Sequence, residues 1–204
     1  MSSGVDSVVF DIGNVLIGWD PRNLYRKVFA TEAEMEQFLA EICTLEWHLA
    51  HDFGVSFEEN GAKLKALHPA HSELIDFWHT RYAEMIPGRV EGTVDLLYAL
   101  KNKGLGVHGL TNMPVPVFEF LCVEYPELQE FQEVVVSGAE GLVKPDPAIF
   151  ELMIARASLD PARTLFIDDS QANIKTAETL GFLTHHFTNS ATLAGDLRRL
   201  DLLP

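Results

Sequence analysis

The stretch VVFDIGN, residues 8–14, places an aspartate directly after a short apolar run and a glycine two residues later. A run of β-branched and aromatic residues that stops near a glycine is typical of a short buried strand followed by a turn. Open parallel sheets bind ligands beyond the carboxyl ends of their strands. We therefore expect Asp11 to lie at a binding edge, as a nucleophile or as a metal ligand.

Four further apolar runs predict buried strands, at residues 107–110, 134–136, 165–167 and 184–187. Amphipathic helical patterns precede or separate these runs, at residues 91–103, 147–157 and 171–180. Strands that alternate with helices pair in parallel through right-handed crossovers. The sequence therefore predicts an α/β fold with a doubly wound, Rossmann-like parallel sheet.

Residues 21–85 separate the first two predicted strands and have a nearly continuous helical pattern. This segment is far longer than a single crossover needs. We expect a helical cap, inserted above the strand ends, where a lid can exclude water from the chemistry. The predicted division is a catalytic core of residues 1–17 and 87–204 and a helical cap domain of residues 18–86.

The 204-residue chain has a formal net charge of −15, with 30 acidic and 15 basic residues. This balance argues against nucleic acid or an anionic membrane surface as a partner. It does not argue against a phosphorylated small molecule, because a local cation can reverse the field inside a pocket. No apolar run approaches the roughly 20 residues of a membrane span. The oligomeric state stays open.

The two cysteines, Cys43 and Cys122, both lie in apolar helical contexts. Buried free thiols are favoured over a disulfide, which fits a reducing compartment. The N-terminal residues show no basic segment followed by an apolar stretch, so no signal peptide is expected. These features predict a cytoplasmic protein.

Side chains that can act in catalysis or bind a metal follow four of the predicted strands. In chain order they are Asp11, the pair Thr111 and Asn112, Lys144, and the pair Asp168 and Asp169. Because the carboxyl ends of parallel strands meet at one edge of a sheet, we expect these sites to converge. The set suits a phosphoryl group, with carboxylates for Mg²⁺, a cation for the equatorial oxygens and an aspartate to accept the phosphoryl.

With these motifs in this order, the chain resembles the haloacid dehalogenase superfamily, in the branch with a helical cap after the first motif. The resemblance covers essentially the whole sequence. It implies that Asp11 is the nucleophile and that the backbone carbonyl of Gly13 helps to hold Mg²⁺. It also implies that Thr111 and the amide of Asn112 contact the transferring group, while Lys144 stabilises Asp11 and the developing charge.

The last motif of the resemblance lies at residues 168–173, DDSQAN. It implies that Asp169 binds the metal and that Asp168 and Asn173 support and orient the ligands. Taken alone, the two aspartates also fit a simple helix start, where an N-cap and an acidic first turn are common. The two interpretations are compatible.

The chain departs from the family pattern at Gly13. Most phosphatases of this superfamily carry a second aspartate there, as a general acid and base, although some sugar-phosphate phosphatases resemble the sequence at residues 11–15. A positioned acid is worth ~10²–10⁴-fold in rate. We hypothesise a substrate with a good leaving group, such as an anomeric sugar phosphate, or a proton from Asp20 or a cap residue. For Asp20, a role at the start of the helix at Pro21 is favoured.

The leading prediction is a Mg²⁺-dependent phosphatase that acts on a small phosphorylated metabolite. One alternative is a carbon–halogen hydrolase of the 2-haloacid dehalogenase type, for which Arg22 and Arg26 are available to bind halide. The acidic pair after the fourth strand weighs against it. A second alternative is a catalytically inactive binding protein, which the glycine at position 13 supports and the retained charged cluster opposes.

Two histidine pairs invite a metal-binding hypothesis, His48 with His51 and His68 with His71. Neither pair has a nearby set of cysteines and histidines that would complete a tetrahedral site. Pro69 also disfavours a regular helical face for the second pair. The sequence therefore disfavours metal binding by these histidines.

Overall fold

The computed structural model describes residues 4–204. In that range the chain forms seven strands: β1 (Ser7–Phe10), β2 (Ile17–Gly18), β3 (Gly88–Arg89), β4 (Gly106–Thr111), β5 (Glu133–Val136), β6 (Thr164–Asp168) and β7 (Leu183–His186). The helices of the same range are α1 (Arg22–Tyr25), α2 (Glu32–Glu41), α3 (Leu45–Asp52), α4 (Phe57–Leu67), α5 (Ser72–Thr80), α6 (Thr93–Asn102), α7 (Val115–Glu124), α8 (Ser137–Glu140), α9 (Pro147–Ala157), α10 (Gln171–Thr179) and α11 (Ser190–Arg199). Short 3₁₀ helices form at Pro69–His71, Tyr82–Met85, Pro126–Glu130 and Pro161–Arg163.

Five strands form one parallel sheet in the order β5-β4-β1-β6-β7. The central strand is β1, where Phe10 is opposite Gly109 of β4 and Ile167 of β6. The predicted α/β fold with a doubly wound parallel sheet is confirmed, and every end of the five predicted strands lies within one residue of the observed end. The chain moves from β1 to β4 and β5, then returns to the other side of β1. The carboxyl ends of β1 and β6 therefore flank the switch point at which such sheets bind ligands.

The sheet is buried on both faces, as a parallel sheet requires. Successive side chains of a strand point to opposite faces, and β1 shows the consequence directly. Val8 and Phe10 belong to one hydrophobic cluster, and Val9 belongs to the cluster on the other face. All three side chains are buried, so β1 is held rigidly between two layers of helices. Asp11 follows on this fixed support.

The three helices predicted from periodicity are present at α6, α9 and α10. The start of α9 shows why the sequence identifies it. Asp146 caps the helix by accepting a hydrogen bond from the backbone N–H of Ala148 at 2.9 Å, and Pro147 occupies the first turn, where no amide partner is needed. Gly104 and Gly181 follow α6 and α10 with φ of +93° and +90°, a conformation that favours glycine.

Helices α1 to α5 lie between β2 and β3, and we call residues 18–86 the cap. Their buried apolar side chains form a third hydrophobic cluster, which includes Tyr25, Phe38 and Trp78. Strands β2 and β3 pair antiparallel, with Ile17 opposite Arg89, so the chain enters and leaves the cap at adjacent points. The domain boundaries at residues 17 and 87 stay a prediction.

Both cysteines are free thiols; Cys43 is buried and Cys122 is partly exposed. Among the helices within residues 4–204, none has the length and apolar character that crossing a membrane requires.

Candidate active site

Asp11 lies one residue beyond β1 and is only 8% exposed. Its backbone N–H donates to the carbonyl of Ile167 at 2.8 Å, which extends the contact between β1 and β6. Its Oδ1 accepts a hydrogen bond from the N–H of Ile12 at 2.7 Å and lies 3.0 Å from Nζ of Lys144. Burial raises the pKa of the Asp11 carboxyl, and the Lys144 ammonium opposes that change. The geometry fixes one carboxylate oxygen and its cation at the edge of the sheet.

Lys144 is almost completely buried and uses all three of its donor positions. Its Nζ donates to the carbonyl of Leu110 at 2.8 Å and to Oδ2 of Asp168 at 2.7 Å, and it pairs with Asp11. Burial by itself lowers the pKa of Lys144, but the carboxylates of Asp11 and Asp168 outweigh that effect and raise it. Lys144 is therefore a fixed positive charge between two carboxylates.

Asp168 is the last residue of β6 rather than the residue after it, and it is completely buried. Its Oδ1 accepts from Nδ2 of Asn173 at 2.9 Å and from the N–H of Ser170 at 2.8 Å. Its Oδ2 accepts from Lys144 and from the same Asn173 amide at 3.0 Å. A carboxylate offers about four acceptor positions, so this one is saturated by the protein. Asp168 is therefore built to hold Lys144.

Asn112 connects the end of β4 to the segment that carries the lysine. Its Nδ2 donates to the carbonyl of Lys144 at 2.9 Å, and its Oδ1 accepts from the N–H of Lys144 at 2.8 Å. These two bonds clamp the backbone on either side of the Lys144 side chain. Because the side-chain amide of Asn112 is used in this way, only its backbone N–H is left for the predicted contact with a transferring group. That contact stays a prediction.

Thr111 is the last residue of β4 and is buried. Within residues 4–204 its Oγ1 has no hydrogen-bond partner. A buried polar atom without a partner costs about 1–3 kcal/mol, so such atoms call for an explanation. A ligand oxygen at this position would satisfy the hydroxyl, which fits the predicted contact between Thr111 and a transferring group.

Three carboxylates meet where the strands β1 and β6 end. Ligand oxygens of Asp11, Asp168 and Asp169 all lie within 4.8 Å of one another. Burial raises the pKa of Asp169, and the charge of Asp168 adds to that effect. Because Asp168 is saturated, Asp11 and Asp169 are the carboxylates with room for a cation. Oxygen donors of this kind suit Mg²⁺, so the residues fit the predicted metal.

A cleft of about 170 Å³ lies between this edge of the sheet and the cap. Asp11, Gly13, Lys144 and Asp169 line its core wall. A Cβ built at Gly13 would meet no atom within 4 Å, so the position of the missing second aspartate is open space. Among the described residues, no other side chain therefore takes the place of the missing aspartate side chain next to Gly13.

The opposite wall of the cleft comes from the cap, through Trp19, His48, Asp52 and Tyr82. The sequence alone does not place these residues at the site. His48 and Asp52 are four residues apart on α3 and so share one face of that helix, which is the signal that was available. The direction in which this face points depends on how the cap packs, and no local sequence pattern shows it.

Other residues considered from the sequence lie away from the cleft. Within the described part of the chain, Arg22 and Arg26 are not among the residues that line it; they pair with Glu36 at 2.5 Å and with Glu32 at 2.9 Å. Asp20 accepts a hydrogen bond from the N–H of Arg22 at 2.9 Å at the start of α1, as favoured from the sequence.

The histidines of α3 have partners within the protein. The Nδ1 of His51 lies 3.2 Å from the carbonyl of Val55, and its Nε2 lies 3.2 Å from the amide nitrogen of Asn60. Nδ1 of His48 accepts a hydrogen bond from the indole of Trp78 at 3.1 Å. These contacts give both rings structural roles in the cap.

Comparison with known proteins agrees with this geometry. The sequence model of the haloacid dehalogenase-like hydrolases matches residues 5–181, so the chain belongs to this family of hydrolases. It is 25% identical over 211 residues to a sesquiterpene phosphatase of Aspergillus oryzae, and the match covers 98% of both chains. It is 26% identical over 166 residues to phosphoglycolate phosphatase 1 of Pseudomonas aeruginosa, with 76% of this chain and 57% of the relative covered.

Among solved structures, a hydrolase of the same family from Porphyromonas gingivalis superposes with a TM-score of 0.74 at 25% identity. The superposition covers 96% of this chain and 97% of that chain. Family and fold predicted from the sequence are thus confirmed, and phosphatases are among the relatives.

Proposed function

We propose that this hydrolase is a Mg²⁺-dependent phosphatase that cleaves a small phosphate monoester through an aspartyl-phosphate at Asp11. The observation that carries the proposal is the pairing of Asp11 with the buried Lys144 at 3.0 Å, within a set of three carboxylates of which Asp11 and Asp169 line one cleft. A nucleophile, a fixed cation and an oxygen-rich cation site are the parts that phosphoryl transfer needs.

In the first step, an Asp11 carboxylate oxygen attacks phosphorus and the bond to the leaving oxygen breaks. The ammonium of Lys144 is already in place and needs no reorientation when negative charge develops on the phosphoryl oxygens. Asp168 and Asn112 hold that ammonium and its backbone. The buried hydroxyl of Thr111 gains a hydrogen-bond partner when a phosphoryl oxygen approaches it.

Asp11, Asp169 and the carbonyl of Gly13 are the groups that would hold Mg²⁺. When bound, Mg²⁺ would neutralise the charge of the phosphoryl group and orient it for displacement. The protein's own contribution is to keep the carboxylate of Asp169 next to that of the nucleophile, within 4.8 Å. The carboxylate of Asp168 stays paired with Lys144, so it does not compete with Asp11 and Asp169 for the metal.

Beyond the charged edge, the cleft has a group of apolar lining residues, Ile86, Met113, Val117 and Leu121. Such a surface favours a substrate whose only charged group is the phosphate. The similarity to a sesquiterpene phosphatase agrees with an apolar substituent. A sugar phosphate, which the resemblance of residues 11–15 to some sugar-phosphate phosphatases implies, is the competing substrate class. Relative kcat/KM for dimethylallyl phosphate and glucose 1-phosphate distinguishes the two.

The test of the proposed function is hydrolysis of p-nitrophenyl phosphate with Mg²⁺ and with EDTA. Asp11→Asn keeps the shape of the side chain but removes the nucleophilic charge, and we expect a loss of at least about 10³-fold. The matched control is Asp160→Asn, because Asp160 caps a short 3₁₀ helix through its hydrogen bond from Ala162. The control variant should retain wild-type activity.

Wild-type activity that survives in both EDTA and Asp11→Asn would contradict the proposal. Hydrolysis of 2-haloacids without phosphatase activity would instead favour the dehalogenase alternative. Absence of both activities would favour a non-catalytic binding role.

A further inference from the structure

Asp52, in the last turn of α3, is a buried carboxylic acid with no assigned task. It is 8% exposed and lines the same cleft as Asp11 and Lys144. Within the described residues, its Oδ1 has no hydrogen-bond partner. Burial of an unpartnered carboxyl oxygen is destabilising, and proteins retain such groups chiefly where a function needs them.

His48 is a fixed, neutral neighbour of this acid. The indole N–H of Trp78 can only donate, so Nδ1 of His48 is an acceptor and the neutral ring carries its proton on Nε2. That Nε2 lies 3.7 Å from Oδ1 of Asp52, which is too long for a direct hydrogen bond. Burial lowers the pKa of His48 to about 3, and Trp19 stacks on its ring with centroids 5.0 Å apart. His48 is therefore a poor proton donor and a good rigid support.

Asp52 has the protonation behaviour of a general acid. Burial raises the pKa of its carboxyl to about 7, although the positive charge of Lys144 acts in the opposite direction. The groups around it are His48 on its own helix, Tyr82 of the cap and Lys144 of the core. A substantial fraction of Asp52 therefore carries a proton near neutral pH, the condition under which general acid catalysis works best.

We propose that Asp52 donates the proton to the leaving oxygen, the task that Gly13 has no side chain to perform. The proposal rests on the proposed phosphatase function. In the first step, the bond between Asp11 and phosphorus forms, the bond from phosphorus to the leaving oxygen breaks, and that oxygen takes the Asp52 proton as the alcohol departs. In the second step, the oxygen of water bonds to phosphorus and the bond between Asp11 and phosphorus breaks. One proton of that water passes to the Asp52 carboxylate, Asp11 returns to its free carboxylate, and inorganic phosphate leaves.

The other candidates have other tasks. The side chain of Asp20 is 39% exposed, and it is bonded to Arg22 at the start of α1. Asp169 faces the cation site. Asp52 combines burial, an unpartnered oxygen and a place on the wall opposite the nucleophile, where a leaving group would point.

The experiment measures alcohol release in a single turnover, because this isolates the first chemical step. Its two substrates are p-nitrophenyl phosphate, whose leaving group needs no proton, and phenethyl phosphate, whose leaving group does. We expect Asp52→Asn to slow release from phenethyl phosphate by at least about 10²-fold and release from p-nitrophenyl phosphate by less than about threefold. Asp20→Asn is the matched control and should change neither rate.

Equal effects of Asp52→Asn on both substrates, or no effect on either, would overturn the proposal. A selective loss in Asp20→Asn would transfer the role to that residue. Wild-type protein that fails to hydrolyse p-nitrophenyl phosphate with Mg²⁺ would reject the phosphatase function itself, which is a separate outcome.

If Asp52→Asn does not fold, measurements on the wild-type protein alone can still overturn the proposal. Single-turnover rates across a series of phosphates should then depend only weakly on the pKa of the alcohol, because a donated proton removes most of the charge on the leaving oxygen. A steep dependence would show that the leaving group departs unprotonated, which would overturn the proposal.

Discussion

The two walls of the cleft differ in how completely their polar groups are satisfied. On the core wall, Lys144 uses three donor positions and Asp168 four acceptor positions, all within the protein. On the cap wall, Oδ1 of Asp52 and Nε1 of Trp19 have no partner among the described residues. Behind the core wall, the buried Oγ1 of Thr111 also has no partner among the described residues, at the position predicted to meet a transferring group.

This difference separates two tasks of one site. A saturated network has one stable geometry, and it holds charge in position before a ligand arrives. Unsatisfied groups carry a free-energy penalty that a ligand can remove, so they respond to what binds. The core wall therefore fixes the chemistry at phosphorus, and the cap wall is suited to act on the departing part of the substrate.

The largest effect expected is that of Lys144→Met, which keeps an unbranched side chain up to the position of Cε and removes the ammonium group. The carboxylates of Asp11 and Asp168 then lie buried without their shared cation, and the free energy of unfolding should fall by about 3–5 kcal/mol. Phosphatase activity should disappear with it. Urea denaturation in EDTA measures the change without a contribution from a bound metal.

The control for this prediction is Lys101→Met. Lys101 pairs with Glu130 at the protein surface, where its side chain is 39% exposed. Loss of an exposed pair should change stability by at most about 1 kcal/mol. Similar decreases in the free energy of unfolding in both variants would mean that the network on the core wall stabilises the fold no more than an exposed ion pair does.

The core wall is also the part of the site that the sequence predicts. Asp11, Lys144 and Asp169 each follow a strand or the turn beyond it, and parallel topology brings such positions together whatever the surrounding sequence is. The sequence cannot show that the side chain of Asn112 clamps the backbone of Lys144, 32 residues away. Nor does it reveal strands β2 and β3, because two residues give no periodicity.

The cap wall was not predicted for a related reason. The spacing of His48 and Asp52 indicates a shared helix face, but several faces of α3 carry polar and aromatic residues. Which face meets the cleft is decided by packing against α5, where Trp78 lies 5.3 Å from the His48 ring, centroid to centroid. Long-range packing of this kind is set by the whole cap rather than by a local pattern.

The second prediction concerns how Asp52 affects stability as pH changes. Its pKa is about 7 in the folded protein, against an ordinary value of 3.8. Below pH 3.8 both states hold the proton, whereas between these values the unfolded state loses it first, so stability falls as pH rises. Asp52→Asn lacks this penalty and should gain up to about 4 kcal/mol relative to wild type between pH 4 and pH 8.

Urea denaturation in EDTA at several pH values measures this difference. The control is Asp76→Asn, whose carboxylate is 51% exposed and pairs with Lys65. Its effect should stay within about 1 kcal/mol across the range. An effect of Asp52→Asn that is constant with pH would contradict the raised pKa and weaken the contrast between the two walls.

The smallest effect is expected from two helix-capping variants, which test whether the cap can be destabilised without disturbing the core wall. Thr44 caps α3 by accepting a hydrogen bond from the N–H of Trp47 at 3.0 Å, and Ser56 caps α4 through Glu59 at 3.1 Å. Thr44→Ala and Ser56→Ala should each lower the free energy of unfolding by about 0.5–2 kcal/mol.

Neither capping variant should alter the single-turnover release of p-nitrophenol, because that step uses the core wall, whose bonds do not pass through α3 or α4. Thr44→Ala frays the first turn of α3, whereas Asp52 lies in its last turn, so release from phenethyl phosphate should also be retained. Slower p-nitrophenol release in Thr44→Ala, with wild-type behaviour in Ser56→Ala, would show that the position of α3 controls the nucleophile. The two walls would then act as one unit, and the division of tasks between them would be wrong.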